Sequence, residues 1–310
     1  MENDIKVSII CNAYNHEKYV GKALDGFLMQ KTDFKYEVLI HDDASTDRTA
    51  DVIREYEKKH PNIINPIYQT ENQYSKGVGI NDTYQYPRVR GKYIALCEGD
   101  DYWTDPYKLQ KQFDAMEMNP DVDMCSHDVS KMRNGECVGT FSPSRNKCIL
   151  KTEDVIKGGG SYLATNSLFY RKDMLKHIPR FRKFLRLDYS LQIWGSLRGG
   201  ILYLPDNMAC YRVGVEQSWT SRMGENPGKY IDHLNKTIQM CEILDEETAG
   251  KYKKAIQQHV AEIWVRILEL SNYSREYSLG EFMGHLSHLT LKKSIKVIGK
   301  LLLFKIGYKR

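Results

Sequence analysis

Hydrophobic positions along the first 130 residues follow two alternating periods. Residues 6–12 form a continuous apolar and β-branched run, which is typical of a buried parallel strand. Tyr19, Ala23 and Phe27 then recur at every fourth position, and this spacing predicts an amphipathic helix. The alternation continues and predicts strands at 36–41, 63–68, 92–97 and 122–127 and helices at 49–59 and 106–118. This order predicts an α/β fold with a doubly wound, mostly parallel sheet flanked by helices.

Beyond residue 127 the pattern is less regular. We predict a strand at 162–170, a helix at 187–197, a strand at 201–204 and helical structure from residue 230 onward. The glycines at 158–160 are typical of a flexible joint. The polar stretch 69–90 has no clear period and is interpreted as a partly ordered surface loop, of a kind that often covers a ligand. The pattern therefore predicts a first domain over 1–225 and a helical C-terminal region over 226–310.

Composition and charge narrow the class of protein. Hydrophobic residues make up 41% and charged residues 27% of the chain, a globular balance that argues against disorder and fibrous repeats. The net charge of +5 implies no nucleic-acid partner unless it is concentrated in one place. The cysteines are scattered without a C-x-x-C pair, which argues against a structural zinc site and a disulfide framework. The sequence shows no basic leader and no membrane-length apolar run, so we expect a cytoplasmic protein.

Polar side chains directly follow three of the predicted strands. Asn12 and Tyr14 follow the first strand, Asp42 and Asp43 follow the second, and the sequence Glu-Gly-Asp-Asp at 98–101 follows the fourth. Open α/β sheets bind their ligands at these carboxyl ends. Neither a G-x-G-x-x-G sequence nor a P-loop follows the first strand, which argues against a dinucleotide on the first helix.

The acids at 98–101 are candidate metal ligands. Three carboxylates in four positions repel one another unless a cation neutralises them. Glu98, Asp100 and Asp101 offer hard oxygen ligands that select Mg²⁺ or Mn²⁺, and such an ion would stabilise a diphosphate leaving group. The alternative is a solvated turn that caps the next helix. We favour this alternative for Asp105 and metal binding for Asp100 and Asp101.

Four segments, in this order and at these separations, resemble the family 2 glycosyltransferases of the GT-A fold. They are VSIICNAYNHEKYVGKALDGFLMQ, VLIHDDASTDRT, GKYIALCEGDDYWTDPYKLQKQ and LDYSLQIWGSLRGGILYLPDNMACYRV. The resemblance covers residues 5–215 and implies a Rossmann-like, mostly parallel sheet followed by a C-terminal helical region. It also implies a nucleotide-sugar donor.

The resemblance implies how that donor is bound. Asn12, Tyr14 and Asp43 match positions that hold the nucleotide, and the Asp43 carboxylate would accept the imide N–H of uracil. Asp42 has an alternative role, which is to brace the turn at Ser45.

The same resemblance assigns the diphosphate side of the donor. Asp100 and Asp101 match the metal motif, with Asp101 the better ligand and Asp100 contacting ribose or metal. Glu98 stands where many members of the family have Asp, so which of these acids binds the metal and which binds the ribose stays open. Arg212 would pair with phosphate oxygens, the alternative being a surface salt bridge. His127 would complete the metal shell or be an ordinary buried histidine.

Asp188 matches the position of the catalytic base. An inverting transfer needs a carboxylate that removes the proton of the acceptor hydroxyl as its oxygen attacks the anomeric carbon in line. The alternative for Asp188 is a helix N-cap. Residues 165–167 match an acceptor-side position, and Trp103 and Trp219 would stack on sugars or simply pack in the core.

The C-terminal region carries a basic amphipathic pattern. Leu, Ile and Val alternate there with Lys292, Lys293, Lys296, Lys300, Lys305, Lys309 and Arg310. This pattern suits peripheral contact with the inner face of an anionic membrane. It equally suits a helix that packs on a second subunit in a homo-oligomer.

The resemblance therefore implies an inverting glycosyltransferase that uses Mn²⁺ or Mg²⁺. It would move a hexose or N-acetylhexosamine from a UDP-sugar to a hydroxyl of a glycan, lipid-linked or protein-linked acceptor. A nucleotidyltransferase of a sugar phosphate is an alternative, although Tyr14-Asn15-His16 is not the Gly-rich basic loop that such enzymes need. A non-catalytic scaffold subunit that keeps the fold is a second alternative.

Overall fold

The computed structural model of the protein describes residues 5–215, 219–271, 284–290, 294–295 and 297–299. The strands are β1 (Ile5–Ala13), β2 (Lys35–Asp42), β3 (Ile64–Tyr68), β4 (Tyr93–Leu96), β5 (Tyr102–Trp103), β6 (Met124–Arg133), β7 (Glu136–Phe141), β8 (Cys148–Leu150), β9 (Phe169–Arg171) and β10 (Ile201–Arg212). The α-helices are α1 (Val20–Leu28), α2 (Thr49–Lys59), α3 (Lys108–Glu117), α4 (Thr152–Gly158), α5 (Arg180–Phe184), α6 (Asp188–Ser196), α7 (Trp219–Glu225), α8 (Pro227–Glu247) and α9 (Lys253–Leu270). The strands form one sheet in the order β3-β2-β1-β4-β9-β6-β10-β5, with β7 beside β6 and β8 beside β10.

The first four strands form the parallel part of the sheet. Strand β1 pairs in parallel with β2 and β4, and β2 pairs in parallel with β3. Val7, Ile9 and Cys11 are fully buried and share one core cluster with Ala23 and Phe27 of α1. A parallel strand with helices on both faces is buried on both, which explains the continuous apolar run. The predicted α/β fold class is confirmed.

The other half of the sheet is mixed. Strand β9 is antiparallel to β4 and β6, and β5 is antiparallel to β10. The strand predicted at 162–170 is reduced to β9, because Ser167 donates a 2.6 Å hydrogen bond from Oγ to the Ala164 carbonyl and closes a short turn. The strand predicted at 201–204 is longer than expected and continues to Arg212.

A β-hairpin made of β6 and β7 occupies part of the stretch that the sequence pattern left mixed. Its turn is formed by Asn134 and Gly135, whose φ angles are positive at 51° and 86°. Two central residues with positive φ match the right-handed twist of paired strands, and Asn-Gly adopts this conformation most readily.

The chain folds as two compact units. The first comprises residues up to 151 with 160–178 and 191–215, and the second comprises 152–159, 179–190 and the residues from 216 onward. The sequence pattern placed 152–159 and 179–190 in the first domain. In the structure, α4 packs against α9 and α5 packs against α8, so both stretches belong with the C-terminal helices.

Specific polar contacts hold the second unit together. The Glu247 carboxylate accepts hydrogen bonds from the backbone N–H groups of Arg180 and Phe181 at 2.8 and 2.9 Å, which satisfies two donors at the start of α5. The joint predicted at 158–160 coincides with the boundary between the two units, which falls between residues 159 and 160. On the side of the second unit, Gly159 takes a positive φ of 66° directly against the His259 ring. A Cβ there would lie 2.9 Å from the His259 Cε1 atom.

Contact with a membrane was predicted for the C-terminal region, and the structure describes only part of that region. Within the described ranges, no helix is both long enough and apolar enough to cross a membrane. The basic residues from Lys292 to Arg310, on which a membrane or subunit contact was predicted, lie outside the described residues.

We expect the second unit to lose stability in mild acid. Burial lowers the pKa of His259 to about 4, against a hydrogen bond to the Lys157 backbone that raises it. Since the pKa is lowered from 6.5, the stabilisation is complete above pH 6.5 and is lost as the pH falls through 4. His41, His127 and His233 also have lowered pKa values and share this dependence. Urea unfolding of the His259→Gln variant between pH 7 and pH 4 should therefore show a smaller loss than the parent, and an equal loss would contradict this prediction.

Candidate active site

The carboxyl ends of β1, β2 and β4 bring the predicted polar residues to one edge of the first unit. The register pairs Ala13 of β1 with Asp42 of β2, and the Asp43 N–H donates to the Ala13 carbonyl at 3.0 Å. The Gly99 N–H donates to the Asn12 carbonyl at 2.9 Å. Tyr14 follows β1 with its side chain 36% exposed. The structure therefore brings the polar residues after β1 and β2 and the acidic turn at 98–101 to one continuous edge.

Gly99 allows the acidic turn to approach β1 closely. A Cβ on Gly99 would lie 2.9 Å from His16 Nδ1, 3.0 Å from Ala13 Cβ and 3.3 Å from the Asn12 carbonyl. Two of these three neighbours belong to the end of β1 and its backbone, which cannot move without shifting the strand. The turn that presents Asp100 and Asp101 is thus fixed by a residue without a side chain.

Replacing Gly99 by Ala should shift this turn and lower stability by about 1–3 kcal/mol, the usual cost of forcing an extra methyl into a packed position. Thermal unfolding measures the effect. Gly224→Ala is the matched control, because a Cβ at Gly224 has nothing within 4 Å. Equal melting temperatures for the two variants would show that the turn tolerates the methyl group.

Asp101 is the most deeply placed of the acids. Its side chain is 1% exposed, and its Oδ1 accepts a hydrogen bond from the Arg212 backbone N–H at 2.8 Å. Burial raises the pKa of Asp101 well above its usual value, and the neighbouring charge of Asp100 adds to this effect. The Asp100 side chain is half-buried. Folding therefore holds one carboxyl group where its charged form is costly unless a cation is near.

Arg212 lies beside the acidic turn. Its guanidinium is 4.5 Å from the centre of the Tyr102 ring and 5.0 Å from that of Tyr19, and it donates to the Asp100 backbone carbonyl. Its own backbone N–H contacts Asp101. The predicted alternative of a surface salt bridge is not observed, since Arg212 forms no ion pair with any carboxylate in the described ranges. Two aromatic rings instead hold a cation at the edge where phosphate was predicted.

The two aspartates after β2 have different environments. Asp43 Oδ1 and Oδ2 accept hydrogen bonds from the backbone N–H groups of Gln73 and Tyr74 at 2.8 and 3.0 Å. Asp42 Oδ2 accepts from the Ser45 N–H at 3.4 Å, which is the contact expected if Asp42 braces this turn. Asp42 Oδ1 is buried without a hydrogen-bond partner, and burial raises the pKa of this carboxyl group. Both carboxylate oxygens of Asp43 thus accept hydrogen bonds from the protein backbone, whereas Asp42 Oδ1 accepts none from the described residues.

The segment 69–90 covers the ends of β1 and β2. It contains short helical turns at 74–76, 81–85 and 86–88. The Gln85 side chain is fully buried and donates to the carbonyls of Cys11 and Leu39 at 3.2 and 3.1 Å, while Asn12 Nδ2 donates to Asn81 Oδ1 at 3.0 Å. The segment that was predicted to be a partly ordered surface loop is therefore attached to the sheet by the side chains of Gln85 and Asn81. Sequence reasoning missed Gln85, because nothing in its local sequence distinguishes it from a surface glutamine.

Several secondary candidates prove to be packing residues. Trp103 is 2% exposed, meets the Phe27 ring edge-on at 4.8 Å and donates from Nε1 to the Asn166 carbonyl. Its stacking role is wrong for this reason, and Asn166 and Ser167 are likewise fully buried rather than lining a surface. His127 is buried with Nδ1 bonded to the Asp128 carbonyl at 2.8 Å, and burial lowers its pKa well below the usual value. His127 is thus a buried histidine as the alternative predicted, but it is satisfied only at Nδ1, because Nε2 is buried without a hydrogen-bond partner in the described ranges.

Three candidates remain, which are Asp105, Asp188 and Trp219. The predicted N-cap role of Asp105 is wrong, because α3 begins at Lys108 and its N-cap is Tyr107. Asp105 Oδ1 instead accepts from the Tyr107 N–H at 2.7 Å in the turn before the helix, and Oδ2 pairs with Lys111. Asp188 is exposed in the first turn of α6, in the second unit. The side chain of Trp219 lies outside the described residues.

The predicted metal site offers few protein ligands. Among the described residues, no group of three or more His, Cys, Asp or Glu side chains is placed to hold a metal ion. Mg²⁺ and similar ions are commonly bound by one or two carboxylates together with water and substrate phosphates. Asp100 and the buried Asp101 match that sparse donor set.

The sequence of the chain matches a family model and several known proteins. A family model described as glycosyl transferase family 2 matches residues 8–178. A protein of Mycobacterium tuberculosis is 37% identical over 217 residues, which are 69% of this chain and 61% of that protein. A glycosyltransferase of Nostoc is 27% identical over 94% of this chain and 98% of its own length. The chain thus spans less than two thirds of the first relative.

Solved structures give the same picture of the fold. Residues 1–349 of Staphylococcus aureus TarS, in complex with UDP-GlcNAc, match with a TM-score of 0.64 at 19% identity, over 94% of this chain and 81% of that one. At this identity the match establishes the likeness of fold. It agrees with the mixed α/β sheet and the helices that follow it.

Proposed function

Because the chain belongs to glycosyl transferase family 2, we propose that it moves a hexose or N-acetylhexosamine from a UDP-sugar to a hydroxyl group of a glycan, lipid-linked or protein-linked acceptor. The observation that carries the proposal is the shared edge along which Asp42, Asp100, Asp101 and Arg212 lie. This edge offers an unpartnered carboxylate oxygen, two acids at a turn and a cation held between aromatic rings. These groups suit, respectively, the base of the donor, a divalent cation and the diphosphate that the cation neutralises.

In this proposal Asp42 recognises the nucleotide base. A uracil imide N–H is a donor that a carboxylate oxygen accepts, and a buried acceptor without a partner is costly until a ligand satisfies it. Asp42 Oδ1 has this property, while both oxygens of Asp43 already accept backbone N–H groups. We therefore assign base recognition to Asp42, and we assign Asp43 to holding the segment 69–90 over the base. Asn12 and Tyr14 complete this side of the donor site.

Asp100 and Asp101 would hold the divalent ion. The cation would act as a Lewis acid toward the leaving diphosphate when bound. The raised pKa of Asp101 supports this assignment, because a nearby cation favours the charged carboxylate that burial disfavours. Arg212 adds a fixed guanidinium, which forms charge-assisted hydrogen bonds with phosphate oxygens.

Asp188 would act as the general base. Its carboxylate accepts the proton of the acceptor hydroxyl while that oxygen attacks the anomeric carbon opposite the leaving nucleotide, and the product has the inverted configuration. An exposed carboxylate suits this role, since the acceptor reaches it from solvent.

Thermal-shift measurements on the full chain test the donor assignment. We expect UDP and UDP-GlcNAc to raise the melting temperature in the presence of MnCl₂, with a smaller rise without it, since a ligand at 100 times its Kd stabilises by about 2.7 kcal/mol. GDP and ATP are the controls. A selective shift with GDP would contradict the uridine assignment, and binding without release of UDP from any acceptor mixture would favour the scaffold alternative.

A further inference from the structure

The β6–β7 hairpin and the loop that follows it carry a concentration of positive charge. Between residues 129 and 150 the chain has four cations, Lys131, Arg133, Arg145 and Lys147, against the single carboxylate of Glu136. We call these four cations the basic strip. This stretch of 22 residues therefore has a net charge of +3, which is a local concentration of positive charge within the first unit.

The charges of the basic strip are not compensated by the protein. Arg133, Arg145 and Lys147 are exposed, and Lys131 lies over the Phe141 ring with its Nζ 4.0 Å from the ring centre. None of the four forms an ion pair with a carboxylate in the part of the chain that the structure describes. Some other cations of the first unit are paired, such as Lys92 with Glu117 at 2.6 Å and Lys111 with Asp105 at 2.8 Å. Unpaired and exposed cations leave a positive field that an anionic partner can use.

The hairpin places these charges next to the candidate active site. In the register of β6 and β10, Met132 is the partner of Arg212, and the Val213 N–H donates to the Met132 carbonyl at 2.8 Å. Arg212 itself contacts the acidic turn through Asp101. Lys131 and Arg133 therefore flank the strand position that borders the donor site. From there β7 and the loop 142–147 carry the strip further along the same unit.

Resting on the proposed function, we propose that the acceptor is an anionic glycan and that the basic strip binds it. The ligand chemistry is a chain of phosphate or carboxylate groups attached to sugars or polyols. A strip that starts beside the acidic turn and extends away suits a long polymer with one hydroxyl at the reaction centre. Arg is well suited to both anions because its planar fork pairs with two oxygens at once.

Other anionic partners fit the strip less well. Single-stranded nucleic acids bind where aromatic rings stack on bases, and no aromatic residue from 129 to 150 is exposed. Membrane-surface segments insert a broad apolar face, whereas Val138 and Ile149 are the exposed large hydrophobic residues of this stretch. Both partners remain outcomes of the test below.

The test measures binding of defined polymers to the full chain by fluorescence anisotropy or calorimetry, without turnover. The probes are inorganic polyphosphate for phosphate, polygalacturonate for carboxylate and dextran as the neutral glycan. We expect binding of at least one anionic polymer at 50 mM NaCl, loss of that binding as salt rises, and none to dextran. The Arg133→Gln, Arg145→Gln, Lys147→Gln triple variant should bind about tenfold more weakly, because each exposed ion pair contributes modestly.

The matched control removes three exposed cations outside the hairpin and its loop, which are Lys31 after α1 and Lys58 and Lys59 in the last turn of α2. We expect it to bind like the parent. Equal affinities for the two triple variants would overturn the proposal, as would binding only to phosphatidylglycerol vesicles or to DNA. The donor assignment stands apart, because the thermal shift with UDP and Mn²⁺ should be the same in the parent and in both triple variants.

Discussion

Replacing Asp188 by Asn should lower the turnover number for sugar transfer by about 10²- to 10⁴-fold, the usual contribution of a general base. Asn keeps the shape of the side chain but cannot accept the proton of the attacking hydroxyl. The donor should still bind, because its proposed contacts all come from the first unit. Initial rates of transfer, together with the Kd for UDP measured by calorimetry, separate the two effects.

The competing role of Asp188 gives a different result. A carboxylate in the first turn of a helix stabilises it through the macrodipole by about 0.3–1 kcal/mol. If capping were its only role, Asp188→Asn would lower the melting temperature slightly and leave turnover intact. Asp51→Asn is the matched control, since Asp51 is also an exposed acid in the first turn of its helix. Full turnover in Asp188→Asn would reject the base assignment.

Replacing Asp101 by Asn should separate stability from function. The amide oxygen can still accept the Arg212 N–H, and the variant no longer buries a carboxyl group whose pKa folding raises. At neutral pH we therefore expect the protein without ligand to be as stable as the parent or more stable. The affinity for UDP in the presence of MnCl₂ should fall at least about 10- to 100-fold, as when the support of a metal ligand is lost.

Calorimetry of UDP with and without MnCl₂ measures this loss, and urea unfolding measures the stability. Asp105→Asn is the control, because Asp105 is an acid close in sequence that holds the turn before α3 and pairs with Lys111. It should leave the affinity for UDP unchanged. Parent-like affinity in Asp101→Asn would show that this carboxylate serves only to hold Arg212 in place.

The parallel half of the fold could be predicted because local pattern and tertiary role agree there. Strands such as β1 are apolar throughout since they are buried on both faces, and α1 shows its buried side at every fourth residue. The strand predicted at 162–170 failed because its apolar side chains enter the core from a turn rather than from a strand. The hairpin was missed although Asn134-Gly135 is a strong turn signal, because the strands on either side lack clean alternation.

The candidate site could be predicted at the level of motifs but not of contacts. The spacing of strand ends placed Asp42, Asp43 and the acidic turn at one edge, and the structure brings them together. Which aspartate keeps a vacant oxygen depends on Gln73 and Tyr74, which lie thirty residues further along the chain. Such long-range hydrogen bonds leave no trace in the local sequence.

The hydrogen bond between the Arg212 backbone and Asp101 sets a limit on how the protein can be shortened. The residues that match the family model end at 178, before β10 begins. A fragment cut there would lose the N–H group that satisfies Asp101, and an orphaned buried acceptor costs about 1–3 kcal/mol. Expression of a minimal donor-binding fragment should therefore extend past Val213, because the acidic turn is completed by a strand more than a hundred residues downstream.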